Sequence, residues 1–302
     1  MRILASDGIE KNAAATLATQ GHEVVQQFYE PEELAEQVKN FDVLVVRSAT
    51  KVRKPIIDAA AEAGRLKLII RGGVGIDNID HVYAEEKGIK VMNTPKASSD
   101  SVAELALAHM FSVARFISIA GHTMREGKWE KKAYKGIELS GKTLGIIGYG
   151  RIGQALGLRA QALGMKVVAY DIYKIPALEN ENMRYVEMDE LLAVSDFISL
   201  HTPAIDGKPL INAETIAKMK DGVVFINTSR GNNVDENALL DALNSGKIYG
   251  AGLDVYAEEP AKNVALYSHP RVSCTPHIGA STSEAQKRIG AEIVDIIGKF
   301  FA

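Results

Sequence analysis

Three groups of residues in this 302-residue chain have types and spacings suited to chemistry. The first is Gly148-Tyr149-Gly150-Arg151-Ile152-Gly153, a GxGxxG run, with Asp171 downstream. In such a run the first glycine permits a tight turn. The second lets the backbone approach a pyrophosphate, and the third lets a helix pack close to its strand. The helix N-terminus adds unpaired N–H groups and a favourable dipole. An acidic residue ending the next strand accepts hydrogen bonds from ribose hydroxyls and repels a 2′-phosphate, so Asp171 predicts NAD over NADP. Lys174 nearby works slightly against that preference. The second group is Arg230, Glu259 and His277, each just after an apolar strand-like run. Ligands of open α/β sheets bind beyond the carboxyl ends of the strands, so these side chains are offered to one crevice. Taken singly, each has an ordinary reading: a surface ion-pair partner, a loop charge before Pro260, a turn cap. The third group is Gly72-Gly73-Val74-Gly75, whose ordinary reading is a strand-end turn, with Arg47 and Arg71 at the ends of neighbouring strands.

These residues need strands to carry them. Strands are predicted at Arg2–Ala5, Val43–Val46, Leu66–Ile70 and Lys90–Met92. Seven more are predicted at Thr143–Ile147, Val167–Tyr170, Arg184–Val186, Phe197–Leu200, Val223–Asn227, Ala251–Val255 and Val272–Cys274. Their apolar content without polar alternation suits strands buried on both faces of a parallel sheet. Helical patterns alternate with them, for example Pro31–Lys39, Pro55–Ala63 and Gln154–Leu163, which is the βαβ rhythm. A long apolar helix is predicted over Val102–Ala120, opened by a capping box at Ser101 and Glu104. A second box at Ser281–Glu284 opens a C-terminal helix running towards Phe300, and residues 121–141 read as a long connection.

Composition narrows the function classes. Lys plus Arg is 35 and Asp plus Glu 38, a net charge of −3, which argues against a nucleic-acid footprint or a polybasic membrane patch. No apolar run approaches a membrane span or a signal peptide. The single cysteine, Cys274, forms no internal disulfide and no metal spacing, so no metal is expected. It fits a reducing, cytoplasmic setting, and we expect it at a buried strand position with no chemical role.

Taken together, the motifs resemble the D-isomer-specific 2-hydroxyacid dehydrogenase family over essentially the whole chain. The resemblance rests on the Gly148–Gly153 loop, Glu138–Gly145, His201-Thr202-Pro203, Arg230-Gly231 with Val234-Asp235-Glu236, Asp254-Val255-Tyr256 with Glu259-Pro260, and Pro276–Thr282. The first half adds Val46–Thr50, Arg71–Asn78 and Met92–Pro95. It implies an α/β fold of two doubly wound, Rossmann-like parallel-sheet domains with a cleft between them. Residues 1–94 and 281–302 would bind substrate and residues 95–280 would bind NAD, with hinges near Thr94–Ser98 and Gly279–Ser281. It further implies hydride transfer from C2 of a hydroxy acid, with His277 as general acid/base, Glu259 orienting it and Arg230 binding the carboxylate. A neighbouring carboxylate favours imidazolium. Val102, Arg151, Ile152, Thr202, Pro203, Thr228, Asp254, His277, Gly279 and Ala280 would line the cofactor. Backbone N–H groups of Gly72, Gly73, Val74 and Gly75, together with Asn78, Arg47, Ser48 and Arg71, would hold the substrate. A phosphorylated hydroxy acid needs such extra cations. Lys132 and Lys135 are weaker candidates.

The resemblance also implies a homodimer through the nucleotide-binding domain, with Ala103–Trp129 as the candidate contact, and neither a nucleic-acid nor a membrane partner. No room is expected for a C-terminal regulatory domain. Asn232-Asn233, Ala204–Pro209 and Ser98–Ser101 depart from the family pattern. Two other readings stand beside the phosphorylated substrate: reduction of glyoxylate or hydroxypyruvate on the same scaffold, and an NAD-sensing corepressor or binding module.

Overall fold

The computed structural model describes residues 1–205 and 207–302; Asp206, inside the divergent Ala204–Pro209 stretch, lies outside the described residues. The chain divides into two compact units, Met1–Ser98 with Ala280–Ala302, and Ser99–Gly279. The boundaries fall at 98/99 and 279/280 where sequence placed them at 94/95 and 280/281.

The first unit is a parallel five-stranded sheet. Its strands are β1 (Arg2–Ala5), β2 (Glu23–Gln26), β3 (Val43–Val46), β4 (Leu68–Arg71) and β5 (Lys90–Asn93), in the order β2-β1-β3-β4-β5. Helices α1 (Lys11–Thr19), α2 (Pro31–Gln37), α3 (Lys54–Ala63) and α4 (His81–Glu86) connect them. This is a doubly wound order, in which the strand carboxyl ends near the point of reversal present the ligand site. Strand β2 was not anticipated. It is an edge strand with Glu23 and Gln26 exposed, so it lacks the fully apolar run that marks a central strand.

The second unit begins with α5 (Ser99–Arg115) and α6 (Ile117–Arg125). Seven parallel strands follow: β6 (Thr143–Ile147), β7 (Lys166–Tyr170), β8 (Met183–Tyr185), β9 (Phe197–Leu200), β10 (Val223–Asn227), β11 (Ile248–Leu253) and β12 (Val272–Cys274). Their order is β12-β11-β10-β9-β6-β7-β8, with α7 (Arg151–Ala162), α8 (Met188–Val194), α9 (Ala213–Lys218), α10 (Glu236–Ser245) and α11 (Val264–Tyr267) between them. Order reverses at β6/β9, which puts the GxGxxG turn after β6 at the switch point.

The last helix, α12 (Ser283–Phe300), returns to the first unit. Ile289, Ile293, Ile296 and Ile297 bury against Ile3, Val43, Val45, Leu68 and Ile70. Gly290 lets it lie on α1, since a Cβ there would come 2.8 Å from that of Ala13. Its cap is Thr282, whose hydroxyl accepts from Ala285 N at 3.1 Å, one residue after the Ser281 the sequence suggested.

Other expectations shift. The long apolar helix is two helices that meet at 65°, broken at Phe116 in the left-handed region (φ 56°). Ser101 lies inside α5, so it is no cap. Strand β11 starts at Ile248 and ends before Asp254. Its Gly250 and Gly252 let α5 approach, because a Cβ on either would sit about 2.6 Å and 2.5 Å from Val113 Cγ1 and His109 Cβ. Cys274 is exposed rather than buried.

Candidate active site

The turn after β6 is built for a phosphate chain. Gly148 has φ +91°, and a side chain there would press on the His201 carbonyl at 2.7 Å. A Cβ at Gly153 would enter the Gly148 carbonyl, whereas Gly150 faces open space. Gly157, one turn on, carries the Tyr149 ring where a Cβ would otherwise lie. Arg151 opens α7 exposed, with Ile152 half-buried behind it.

Asp171 ends β7 and ties its carboxylate to the turn, accepting from Tyr149 N at 2.7 Å and Tyr173 N at 2.9 Å. Four lone-pair sites on a carboxylate leave capacity for ribose hydroxyls. Lys174 directs its ammonium to Glu187 at 2.6 Å, which removes the sequence objection to NAD. Across the switch point, Thr228 is 7% exposed and its hydroxyl oxygen has no hydrogen-bond partner among the described residues. An open glycine, a fixed acidic strand end and an orphaned buried hydroxyl fit a dinucleotide. Replacing Asp171 with Ala is expected to raise KM for NAD about tenfold or more, the loss of one or two charge-assisted hydrogen bonds, and to narrow the preference over NADP. Initial rates with both cofactors test this, and an unchanged KM removes Asp171 from the site.

The Thr202–Pro203 loop is held by a residue sequence had noted only as a departure. Asn233 is fully buried. Its Nδ2 donates to Thr202 Oγ1 at 3.0 Å and Pro203 O at 2.7 Å, and its Oδ1 accepts from Ile205 N at 2.9 Å. His201 beside it is driven down to about 4 by burial and stays neutral.

The ionisable group lies at the ends of β10, β11 and β12. Asn227, 1% exposed, braces the Arg230 turn: its Nδ2 donates to Arg230 O at 2.9 Å and its Oδ1 accepts from Ser229 N at 3.0 Å. Arg230 Nη1 donates to Ser229 O at 2.6 Å. Gly231 lies against the Tyr256 carbonyl, where no side chain fits. That contact brings Arg230 to the loop carrying Glu259.

His277 Nδ1 lies 2.7 Å from Glu259 Oε2. A carboxylate only accepts, so Nδ1 carries the proton and Nε2 is the basic nitrogen of the neutral ring. Burial pushes the Glu259 carboxyl up, but the His277 hydrogen bond and charge, with smaller help from Arg230, leave it below its ordinary value. His277 sits at φ +53°, unusual for a residue with a Cβ. Asp254 holds it there: the Asp254 carbonyl accepts from His277 N at 2.8 Å, and its carboxylate accepts from Ile278 N at 2.8 Å and Gly279 N at 2.9 Å.

Asp254, 1% exposed, is therefore a brace for the loop that carries His277. Burial raises its pKa, and the three donors Thr275, Ile278 and Gly279 oppose that rise. Gly279 packs on Val102, 8% exposed, with which a Cβ would be 3.3 Å apart. Ala280 belongs to the other unit, where its carbonyl accepts from Gln286.

In the first unit, the glycine loop differs in detail from expectation. Gly72 N donates to Val46 O and Gly73 N to Arg71 O, so these two N–H groups are spent on the fold. Asn93 Nδ2 and Thr94 N take the Val74 and Gly73 carbonyls. The N–H groups of Val74 and Gly75 make no hydrogen bond among the described residues. The Arg71 guanidinium folds over Gly73. Asn78 Nδ2 ties the Arg47–Thr50 segment together, donating to Arg47 O at 2.7 Å and Thr50 O at 2.8 Å.

Asp7, which sequence reasoning missed, clamps the same Arg47–Thr50 segment from the other side. Its carboxylate accepts from Arg47 N at 2.6 Å and from the Thr50 hydroxyl at 2.6 Å. Arg47 itself passes beside Gly72 and lines a cavity of about 530 Å³ at the N-terminus of α12, together with Lys11 and Lys287. Ser48 is exposed.

A doubly wound sheet with this glycine turn, an acidic strand end and a His–Glu–Arg group defines a dinucleotide-dependent oxidoreductase. Residues 107–279 match the family model of the D-isomer specific 2-hydroxyacid dehydrogenase NAD binding domain. A hydroxypyruvate reductase from Thermotoga maritima is 50% identical over 99% of this chain and 97% of its own length. A D-3-phosphoglycerate dehydrogenase from Methanocaldococcus jannaschii is 46% identical over 99% of this chain, which spans only 57% of that relative. A crystal structure of D-lactate dehydrogenase from Aquifex aeolicus, complexed with NAD and lactic acid, superposes with a TM-score of 0.87 at 31% identity, covering 100% of this chain and 95% of that one. The chain belongs to the D-isomer-specific 2-hydroxyacid dehydrogenase family. Its activity is NAD-dependent dehydrogenation of D-2-hydroxy acids.

Proposed function

We propose that this enzyme interconverts D-3-phosphoglycerate and 3-phosphohydroxypyruvate with NAD, the entry to serine synthesis. The observation that carries this reading is the placement of Arg47. Its backbone is clamped by Asp7 and Asn78, and it lines the cavity at the α12 N-terminus together with Lys11 and Lys287, whose charges stand beside Asp7 and Glu10 there. A guanidinium and a helix N-terminus are the groups that recognise a phosphate dianion.

In this reading Arg230 holds the substrate carboxylate and polarises the C2 oxygen. His277 Nε2 removes the hydroxyl proton while the C2 hydrogen leaves as hydride and the C2–O bond becomes a carbonyl. Glu259 keeps Nδ1 protonated and stabilises the imidazolium that forms. Bound NAD supplies the hydride acceptor, held by the Gly148–Gly153 turn, Asp171 and Thr228. A homodimer through the nucleotide-binding unit is part of the proposal. Ile117, Met124 and Trp129 are 57%, 58% and 80% exposed along its candidate contact.

The Thermotoga maritima relative favours a second reading, reduction of hydroxypyruvate or glyoxylate. A spectrophotometric NADH assay with phosphorylated and unphosphorylated oxo acids separates the two. Arg47→Ala is expected to lower kcat/KM for the phosphorylated substrate roughly 10–100-fold, the worth of one or two charged hydrogen bonds, and to leave hydroxypyruvate turnover nearly unchanged. A wild-type preference for hydroxypyruvate or glyoxylate overturns the phosphate reading.

A further inference from the structure

The mechanism leaves the buried imidazole of His109 unused. His109 on α5 is 2% exposed. Gly252 of β11 makes room for it, since a Cβ there would lie 2.5 Å from His109 Cβ and 3.0 Å from Cγ. Both ring nitrogens are engaged, Nδ1 with Ser273 Oγ at 2.9 Å and Nε2 with Thr275 Oγ1 at 3.0 Å. Burial pushes the ring down to about 4, so it is neutral at ordinary pH and carries one proton.

The surroundings decide which nitrogen carries it. Thr275 Oγ1 donates its single proton to Asp254 Oδ1 at 2.6 Å. Towards His109 it can then only accept, so Nε2 is the donor and Nδ1 the acceptor. Ser273 must donate to Nδ1. Ser118, 3.3 Å from Ser273 Oγ, donates in turn, and Ser112 donates to Ser118 at 2.7 Å. Every hydroxyl from the α5–α6 elbow inward thus points the same way, towards the Asp254 carboxylate.

We propose that His109 is a positioning residue for the His277 loop: as the Nε2–H tautomer it commits the Thr275 hydroxyl proton to Asp254, whose carboxylate and carbonyl hold residues 277–279. This rests on the reading of His277 as the acid/base. Without the Nε2–H donor, Thr275 is free to rotate and Asp254 loses the donor that sets its orientation. The left-handed backbone at His277 then loses its brace, and the imidazole drifts from its place against Glu259. Small misplacement at a reacting centre is costly in kcat while cofactor affinity is spared.

The experiment pairs spectroscopy with kinetics on the full chain. Ring ¹⁵N shifts of His109 are expected to show a neutral ring protonated on Nε2 from about pH 5 to about pH 8. A ring protonated on Nδ1, or charged, overturns the proposal whatever the variants do. His109→Gln can place an amide N–H where Nε2 lies, while His109→Asn reaches only the Nδ1 position and His109→Leu neither. The Asn and Leu variants are expected to lose about tenfold in kcat with KM for NAD changed less than about twofold, and the Gln variant to stay near wild type. Equal losses in Gln and Asn reduce His109 to core packing, and wild-type kcat in Leu rejects the role outright. His277→Ala separates the underlying reading: if it retains turnover, the acid/base assignment fails together with positioning, whereas its loss alongside a fully active His109→Leu rejects positioning alone.

Discussion

His277→Ala is expected to lower kcat about 10²–10⁴-fold, the usual worth of a positioned general acid/base, while KM for NAD stays near the wild-type value. A secondary alcohol releases hydride only as its proton leaves, so the base acts in the transition state and not in cofactor binding. The geometry allows one nitrogen to do this. Nδ1 is taken by Glu259 at 2.7 Å, so proton transfer falls to Nε2. The loop that presents it is held by the Asp254 carbonyl at 2.8 Å from His277 N and by the Asp254 carboxylate on Ile278 N and Gly279 N. Those bonds are made to main-chain N–H groups that alanine keeps, and they hold the φ +53° backbone in the variant as in the wild type. The fold should therefore survive the change, which circular dichroism and the NAD affinity of the variant check. Near-normal turnover by a folded variant would show that another group moves the proton.

The parts of this site that could be read before any coordinates are those whose physics is local. A glycine that must turn with φ +91° and a glycine that must admit a helix lie within six residues, so spacing alone marks them. Arg230, Glu259 and His277 each follow a strand-like run within a few residues, but singly each has an ordinary reading, and it is the family resemblance that gives them their roles. The bracing residues carry no such mark. Asp7 meets Arg47 across 40 positions, Asn233 meets Thr202 across 31, and His109 meets Thr275 across 166. No periodicity links partners that far apart; only the topology brings them together. Asn233 was visible as an unusual residue, but its work, a side chain satisfying the backbone of a neighbouring loop, shows only in three dimensions. The strand expected at β11 starts late, at Ala251 instead of Ile248, and the reason for glycines at 250 and 252, the close approach of α5, is likewise visible only in three dimensions. Edge strand β2 was lost because exposed Glu23 and Gln26 hide it among loop residues.

Arg230→Leu is expected to lower kcat/KM for the hydroxy acid by roughly 10²-fold or more, the loss of two charge-assisted hydrogen bonds at about 1.5–3 kcal/mol each. Leucine keeps much of the stem's bulk, so the change removes charge and directionality with little cavity. The turn beneath is held by Asn227, through its Nδ2 on the Arg230 carbonyl and its Oδ1 on Ser229 N, neither of which involves the arginine side chain. Gly231 against the Tyr256 carbonyl fixes the same turn from the other side. Leucine does remove the guanidinium bond to Ser229 O, so circular dichroism of the variant accompanies the kinetics, and the expected effect is on substrate. The substitution should also act on Glu259. Arg230 is one of the charges that hold that carboxyl below its ordinary value, after the His277 hydrogen bond and charge have outweighed the effect of burial. Removing it moves the Glu259 titration upward. The Glu259–His277 pair depends on an ionised carboxylate, so it is intact above that titration and lost as pH falls through it. The acid limb of kcat should therefore begin at higher pH in the variant than in the wild type. Two readouts then separate the roles: a fall in kcat/KM for the hydroxy acid at constant pH reports carboxylate binding, and an upward shift of the acid limb reports the influence on Glu259. A variant with unchanged kcat/KM removes Arg230 from substrate recognition.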